Sequence, residues 1–203
     1  MRVEREVARF MDEHLYCQPI FSRHDRTDDK DEQLKGSDII LSIPTLDIKD
    51  AIVDEKAMCN YYYMPKSLPT FALELSFYKN DNERIEGWLT DLNKVTEYYM
   101  LIWFHAKTYD FKAEDITWLE YALVSRKKIL DYLDKECNLS IENLRKVDDF
   151  IRENVTEKGA VGKDSNKDYW FFYSPQLGER PINLVIRKKL YLKLADLHGE
   201  FTL

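Results

Sequence analysis

Apolar and polar positions follow two periods along this chain, and the switches between them mark out its elements. Val3, Val7, Phe10, Met11 and Leu15 recur at helical spacing, which predicts an amphipathic helix over residues 3–16. At about 100° per residue, Glu4 falls inside the apolar arc and Glu6 outside it. Residues 22–35 are dense in charge and read as a loop; their acids lack the glycine and closing glutamate of a calcium loop. Strand-like runs follow at 37–43, ended by Pro44, and at 51–58. From 70 to 77 the alternation is clean, with Phe71, Leu73, Leu75 and Phe77 on one face and Ala72, Glu74 and Ser76 on the other. Residues 86–94 read as a helix. The run 98–104 is apolar on both faces, the mark of a central strand covered on both sides.

The second half carries a predicted helix over 113–133, with Ile116, Leu119, Leu123, Ile129, Leu130 and Leu133 facing the core. Ser140 is placed to cap a further helix. Residues 169–173 and 181–186 read as two strands joined around Gly178. Gly159-Ala160-Val161-Gly162-Lys163 lacks the spacing, the leading strand and the Ser/Thr of a phosphate loop, and reads as a turn. These elements predict an α+β fold in one domain. A core over 3–104 is followed by a helical and hairpin extension over 113–203, packed on that core.

Composition narrows the classes. The chain of 203 residues is 44% hydrophobic and 13% aromatic, enough for a substantial core. Its net charge of −7 argues against a generally basic nucleic-acid coat but leaves room for a local basic face. No run approaches the ~18 apolar residues of a membrane span. The first residues, with Arg2, Glu4, Arg5 and Glu6, are too charged for a signal peptide. Cys17, Cys59 and Cys137 are odd in number and widely spaced. They read as reduced thiols of a cytoplasmic protein.

Two predicted strands carry acids that a buried strand avoids: Asp38 in the first, and Asp54, Glu55 and Lys56 in the second. Side chains alternate along a strand, so Asp54 and Lys56 share a face and Glu55 points to the other. If the two strands are neighbours, Asp38 comes within about 5 Å of Asp54, the span of a shared cation. Two carboxylates offer hard oxygen ligands to a divalent ion, and a lysine beside them holds or polarises water. Plain charges guarding a sheet edge fit the same residues.

Asp38 followed by Asp54-Glu55-Lys56 resembles the PD-(D/E)xK signature of the restriction-endonuclease-like nuclease superfamily, with Ser37 where that signature begins with proline. The predicted order of helix, three strands, helix and strand over 3–104 is similar to that family's α-β-β-β-α-β core. The resemblance implies a Mg²⁺- or Mn²⁺-dependent hydrolase of DNA phosphodiesters. Asp38 and Asp54 would be metal ligands, joined by the backbone carbonyl of Glu55, and Lys56 would orient the attacking water. Glu4 would be an outer ligand, or simply an acid favoured by the start of a helix. Glu74 is either a further site acid or a plain exposed residue. DNA contact falls to Arg187, Lys188, Lys189 and Lys193, interleaved with Leu190, Tyr191 and Leu192, joined by Arg126, Lys127 and Lys128. A solvated basic face is the other reading of that run. Two rival functions stand beside the nuclease: a catalytically inactive subunit of the same fold, and an unrelated α+β interaction protein. DNA or RNA as substrate, a protein partner and the oligomeric state stay open.

Overall fold

The apolar run at 98–104 becomes the interior of a six-stranded sheet, and both of its faces are buried as predicted. In the computed structural model the described residues are all but Met1, Pro65, Asp81, Asn82, Tyr109 and Leu203. Along the chain, α1 (Arg2–Met11) widens into a π-helical turn (Asp12–Tyr16). It is followed by β1 (Arg23–Arg26), α2 (Lys30–Leu34), β2 (Ile39–Ile43) and β3 (Ile48–Ala57). Next come β4 (Thr70–Lys79), β5 (Glu83–Glu86), β6 (Tyr98–Ala106) and β7 (Ile116–Ser125). The remainder is α3 (Arg126–Cys137), α4 (Ile141–Asn154), β8 (Gly159–Val161), β9 (Tyr169–Tyr173), β10 (Ile182–Arg187), α5 (Lys188–Leu194) and β11 (Leu197–Thr202). The class is α+β. No helix among the described residues is long and apolar enough to cross a membrane.

These elements form two compact units, and the chain passes between them repeatedly. The first comprises Met1–Leu68, Val95–Ser125 and Leu194–Leu203; the second comprises Pro69–Lys94 and Arg126–Lys193. The division therefore differs from the predicted core over 3–104 and extension over 113–203.

In the first unit the sheet runs β1-β2-β3-β6-β7-β11. Its neighbours are antiparallel except β3 and β6, which are parallel. Val7, Phe10 and Met11 of α1 pack on one face, against Ile39, Leu41, Val53, Met100, Ile102 and Phe104. Tyr99, Leu101 and Trp103, which alternate with these in β6, are equally buried. In the second unit the sheet runs β5-β4-β10-β9-β8, all antiparallel. The predicted pair at 169–173 and 181–186 is its β9–β10 ladder. Ser140 caps α4 as expected, accepting from the Asn143 amide at 3.2 Å.

Five expectations change, one being the expected turn at 159–163, whose first three residues form β8 and pair with β9. The polar stretch 22–35 is not a loop. β1 pairs along the exposed edge of β2, and α2 starts where the Asp29 side chain accepts from the amides of Asp31 and Glu32. An edge strand bonds through its backbone, so charged side chains do not prevent it. The strand at 70–77 forms, but in the second unit's sheet. Residues 86–94 turn instead of forming a helix. A Cβ on Gly87 would lie 2.3 Å from the Glu74 carbonyl oxygen, so this turn requires glycine. The predicted helix over 113–133 divides at Ser125 into β7 and α3. Leu119, Ala122, Leu123 and Val124 are all buried, and a strand apolar on both faces mimics helical spacing.

A buried charge network ties α4 to the second sheet. Asp148, 2% exposed, pairs with Arg84, lies 3.4 Å from Arg152, and accepts from the Ser76 hydroxyl at 2.9 Å. Removing one partner strands a buried arginine. Asp148→Ala is expected to cost about 3–5 kcal/mol in urea unfolding. A loss below about 1 kcal/mol, the scale of exposed pairs, would show that solvent replaces the carboxylate.

Candidate functional site

The register of β2 against β3 brings the two aspartates together. Ile39 lies opposite Val53, and the Asp38 amide donates to the Val53 carbonyl at 3.0 Å. Regular pairing ends at that step, and Asp38 directly precedes it. The Asp38 carboxylate reaches β3 itself, where its Oδ2 accepts from the Glu55 amide at 2.8 Å, beside Asp54. Lys56, two residues along the same face, forms an ion pair with Asp54. The chain enters β2 through Gly36, whose φ of 86° favours glycine. Its carbonyl accepts from the Thr96 hydroxyl at 2.8 Å, and the Val95 amide donates to the Lys35 carbonyl at 3.0 Å. The segment leading into β6 therefore steadies the segment that carries Asp38.

Electrostatics follow from this crowding. Asp54 is 2% exposed. Burial, then the Asp54 charge, push the Asp38 carboxyl up to about 7; Lys56 and the Glu55 amide pull it back. Asp38 therefore still carries its proton part of the time near neutrality, because a buried carboxyl beside another acid ionises at a cost.

Glu55 points to the opposite face, as alternation requires. It accepts from the Tyr16 hydroxyl at 2.7 Å and from Arg26 at 2.6 and 3.3 Å. Arg26 also donates to Asp12 at 2.7 and 2.9 Å and to the Ala8 carbonyl at 3.1 Å. Burial, then the Glu55 charge, hold the Tyr16 hydroxyl well above its ordinary range, so it stays a donor. Sequence reading missed Tyr16, Arg26 and Asp12. Their one signal is an arginine closing an edge strand, which local pattern cannot link to a residue far along the chain.

The other expected residues are not gathered here. Glu4 is exposed on α1, whose apolar side packs on the Glu55 face of the sheet; it is not brought to the Asp38–Asp54 pair. Glu74 is half-buried in β4, opposite Asn183 in the second unit. Arg187 ends β10 in that unit, and Lys188, Lys189 and Lys193 lie on α5. Arg187 and Lys189 share one acid, Asp168, at 3.6 and 2.7 Å. Arg126 donates to the Leu89 and Asp91 carbonyls, and Lys127 pairs with Asp131. Much of the basic run is thus engaged internally. Among the described residues no cluster of three or more His, Cys, Asp or Glu could hold a metal ion. The centre offers two carboxylates and backbone oxygen. Comparisons with protein-family models, curated proteins and solved structures gave no significant match.

The Asp38 proton predicts a pH dependence. The folded state holds it more tightly than an ordinary aspartate at 3.8, so its contribution to stability is full below about pH 4 and is lost as pH rises through about 7. The melting temperature of metal-free protein should fall between about pH 4 and 7, and Asp38→Asn should flatten that fall. An unchanged slope in Asp38→Asn would place the effect elsewhere.

Proposed function

We propose that this protein is a metal-dependent phosphodiester hydrolase acting on DNA. The observation that carries this reading is the Asp38 carboxylate bonded to the Glu55 amide next to Asp54, with Lys56 paired to Asp54. The order of elements in the first unit adds support. A helix leads to β2 and β3, two of the three strands that the resemblance implied, and β6 lies beside β3, while the implied third strand at 70–77 joins the other unit's sheet. The chain between β3 and β6 contains β4 and β5 where the resemblance implied a helix.

Asp38 and Asp54, with the backbone carbonyl of Glu55, would hold Mg²⁺ or Mn²⁺. An ion so held supplies Lewis-acid polarisation of a phosphoryl oxygen and acidifies its bound water. The carboxylates fix where negative charge is tolerated. The Lys56 ammonium holds water beside the pair and offsets charge developing on the phosphate. Exposed Lys189 and Lys193, one helical turn apart on α5, are the leading phosphate contacts, with Arg187 and Lys188 beside them in sequence.

An inactive binding subunit is the second reading. The Lys56–Asp54 ion pair and the lack of a third side-chain ligand among the described residues favour it. The two readings part in a nuclease assay on several DNA forms with Mg²⁺ and Mn²⁺. Wild-type protein should cut, Lys56→Met should abolish cleavage while leaving metal binding intact, and Asp54→Asn should lose both. DNA binding without cleavage under every condition would favour the subunit.

Stability gives an independent check. Metal that binds only the folded state should raise the wild-type melting temperature as its concentration rises, and Asp54→Asn should lose that response. In EDTA, Asp54→Asn should melt level with or above wild type, because it relieves a repulsive buried pair. If it melts several degrees lower and wild type ignores metal, Asp54 is a structural hydrogen-bonding residue.

DNA contact has its own test. Each phosphate contact steepens the fall of log affinity with log salt by about one unit. Neutralising Arg187, Lys188, Lys189 and Lys193 together should flatten that slope and weaken binding. Neither changing would make the run a solvated face.

A further inference from the structure

We propose that Tyr16 and Arg26 are positioning residues for the Asp38–Asp54 centre: from the opposite face of the sheet they clamp Glu55 and so hold the backbone that bears Asp54 and Lys56. The inference rests on the metal-dependent reading of that centre.

Glu55 stands in a row that is otherwise apolar, between Val53 and Ala57 and beside Met100. An apolar residue there would complete the core without help. A carboxylate in that row costs free energy unless it is paired and hydrogen-bonded. Here it is both. The Tyr16 hydroxyl and two nitrogens of Arg26 donate to it, and Arg26 is itself held by Asp12 and the Ala8 carbonyl. Asp12 and Tyr16 are the two ends of the π-helical turn. A π turn is rare and recurs at functional sites. Here it aims both of its ends at one arginine–glutamate pair.

The clamp reaches the centre through one amide. Glu55 N–H donates to Asp38 Oδ2 at 2.8 Å, so the residue gripped from behind also orients a carboxylate in front. The same peptide carries the carbonyl expected to join the ligand set. Three bonds on the Glu55 side chain limit rotation of the peptides on either side of it. Residues that orient ligands from outside the ligand set commonly change metal affinity about 10–100-fold when replaced.

The test uses the full chain with Tyr16→Phe and Arg26→Lys, reading two quantities. One is hydrogen exchange at the Glu55 amide relative to the Met100 amide in the adjoining strand. The other is Mn²⁺ affinity by electron paramagnetic resonance, with Asp54→Asn as control. The clamp predicts exchange at Glu55 faster by about tenfold or more with Met100 unchanged, and Mn²⁺ binding weaker by about tenfold or more. Folded variants with unchanged Glu55 exchange and Mn²⁺ affinity near wild type would overturn the clamp alone. Equal acceleration at Glu55 and Met100 would make the network a general support of the fold and likewise overturn it. Wild-type protein that binds no Mn²⁺ would overturn the metal-dependent reading and this inference with it. Should Arg26→Lys fail to fold, Tyr16→Phe decides, since it removes one hydroxyl and keeps the ring.

Discussion

Asp38 and Asp54 lie side by side where β2 meets β3, with little solvent to relieve them. Two carboxylates set side by side with little water around them repel when both are charged. The protein meets this with a raised Asp38 carboxyl, the Lys56 ammonium and the Glu55 amide. Core strands ordinarily avoid such an arrangement. Its retention on the face away from α1 makes it the natural place to look for chemistry.

The centre depends on the register of β2 and β3. A slip of one residue would turn Asp54 and Lys56 to the α1 face and bring Glu55 to the front. Register is held by Ile39, Leu41 and Val53, which bury against Val7, Phe10 and Met11. Hydrophobic packing on one face thus fixes the electrostatics of the other. The Tyr16–Arg26–Glu55 contacts add polar specificity at the place where the apolar row is broken.

The second unit has its own polar core. Asp148 sits between Arg84 and Arg152 beneath the Ser76 hydroxyl, while Arg152 and Arg180 lie over the Tyr78 ring at 4.6 and 4.1 Å. Basic side chains here serve packing as much as solvation. The same holds in part for the run at 187–193, where Asp168 engages two cations. A count of lysines and arginines therefore overstates the positive charge open to a phosphate backbone.

Local pattern determined a good deal of this protein on its own. Alternation placed Asp54 and Lys56 on one face and Glu55 on the other. The doubly apolar run at 98–104 read as a central strand, and Ser140 read as a helix cap. All of these depend on residues within a few positions of one another. Partner choice does not. Whether β4 joins β3 or β10, and whether the charged segment 23–26 pairs with β2, is decided by backbone hydrogen bonds between distant segments. Those bonds leave little trace in side-chain periodicity. The β7 strand misled for a related reason: burial on both faces erases the two-residue period that distinguishes a strand from a helix. The grip of Tyr16 and Arg26 on Glu55 exists only after α1 has packed on the sheet, so it belongs wholly to the tertiary structure.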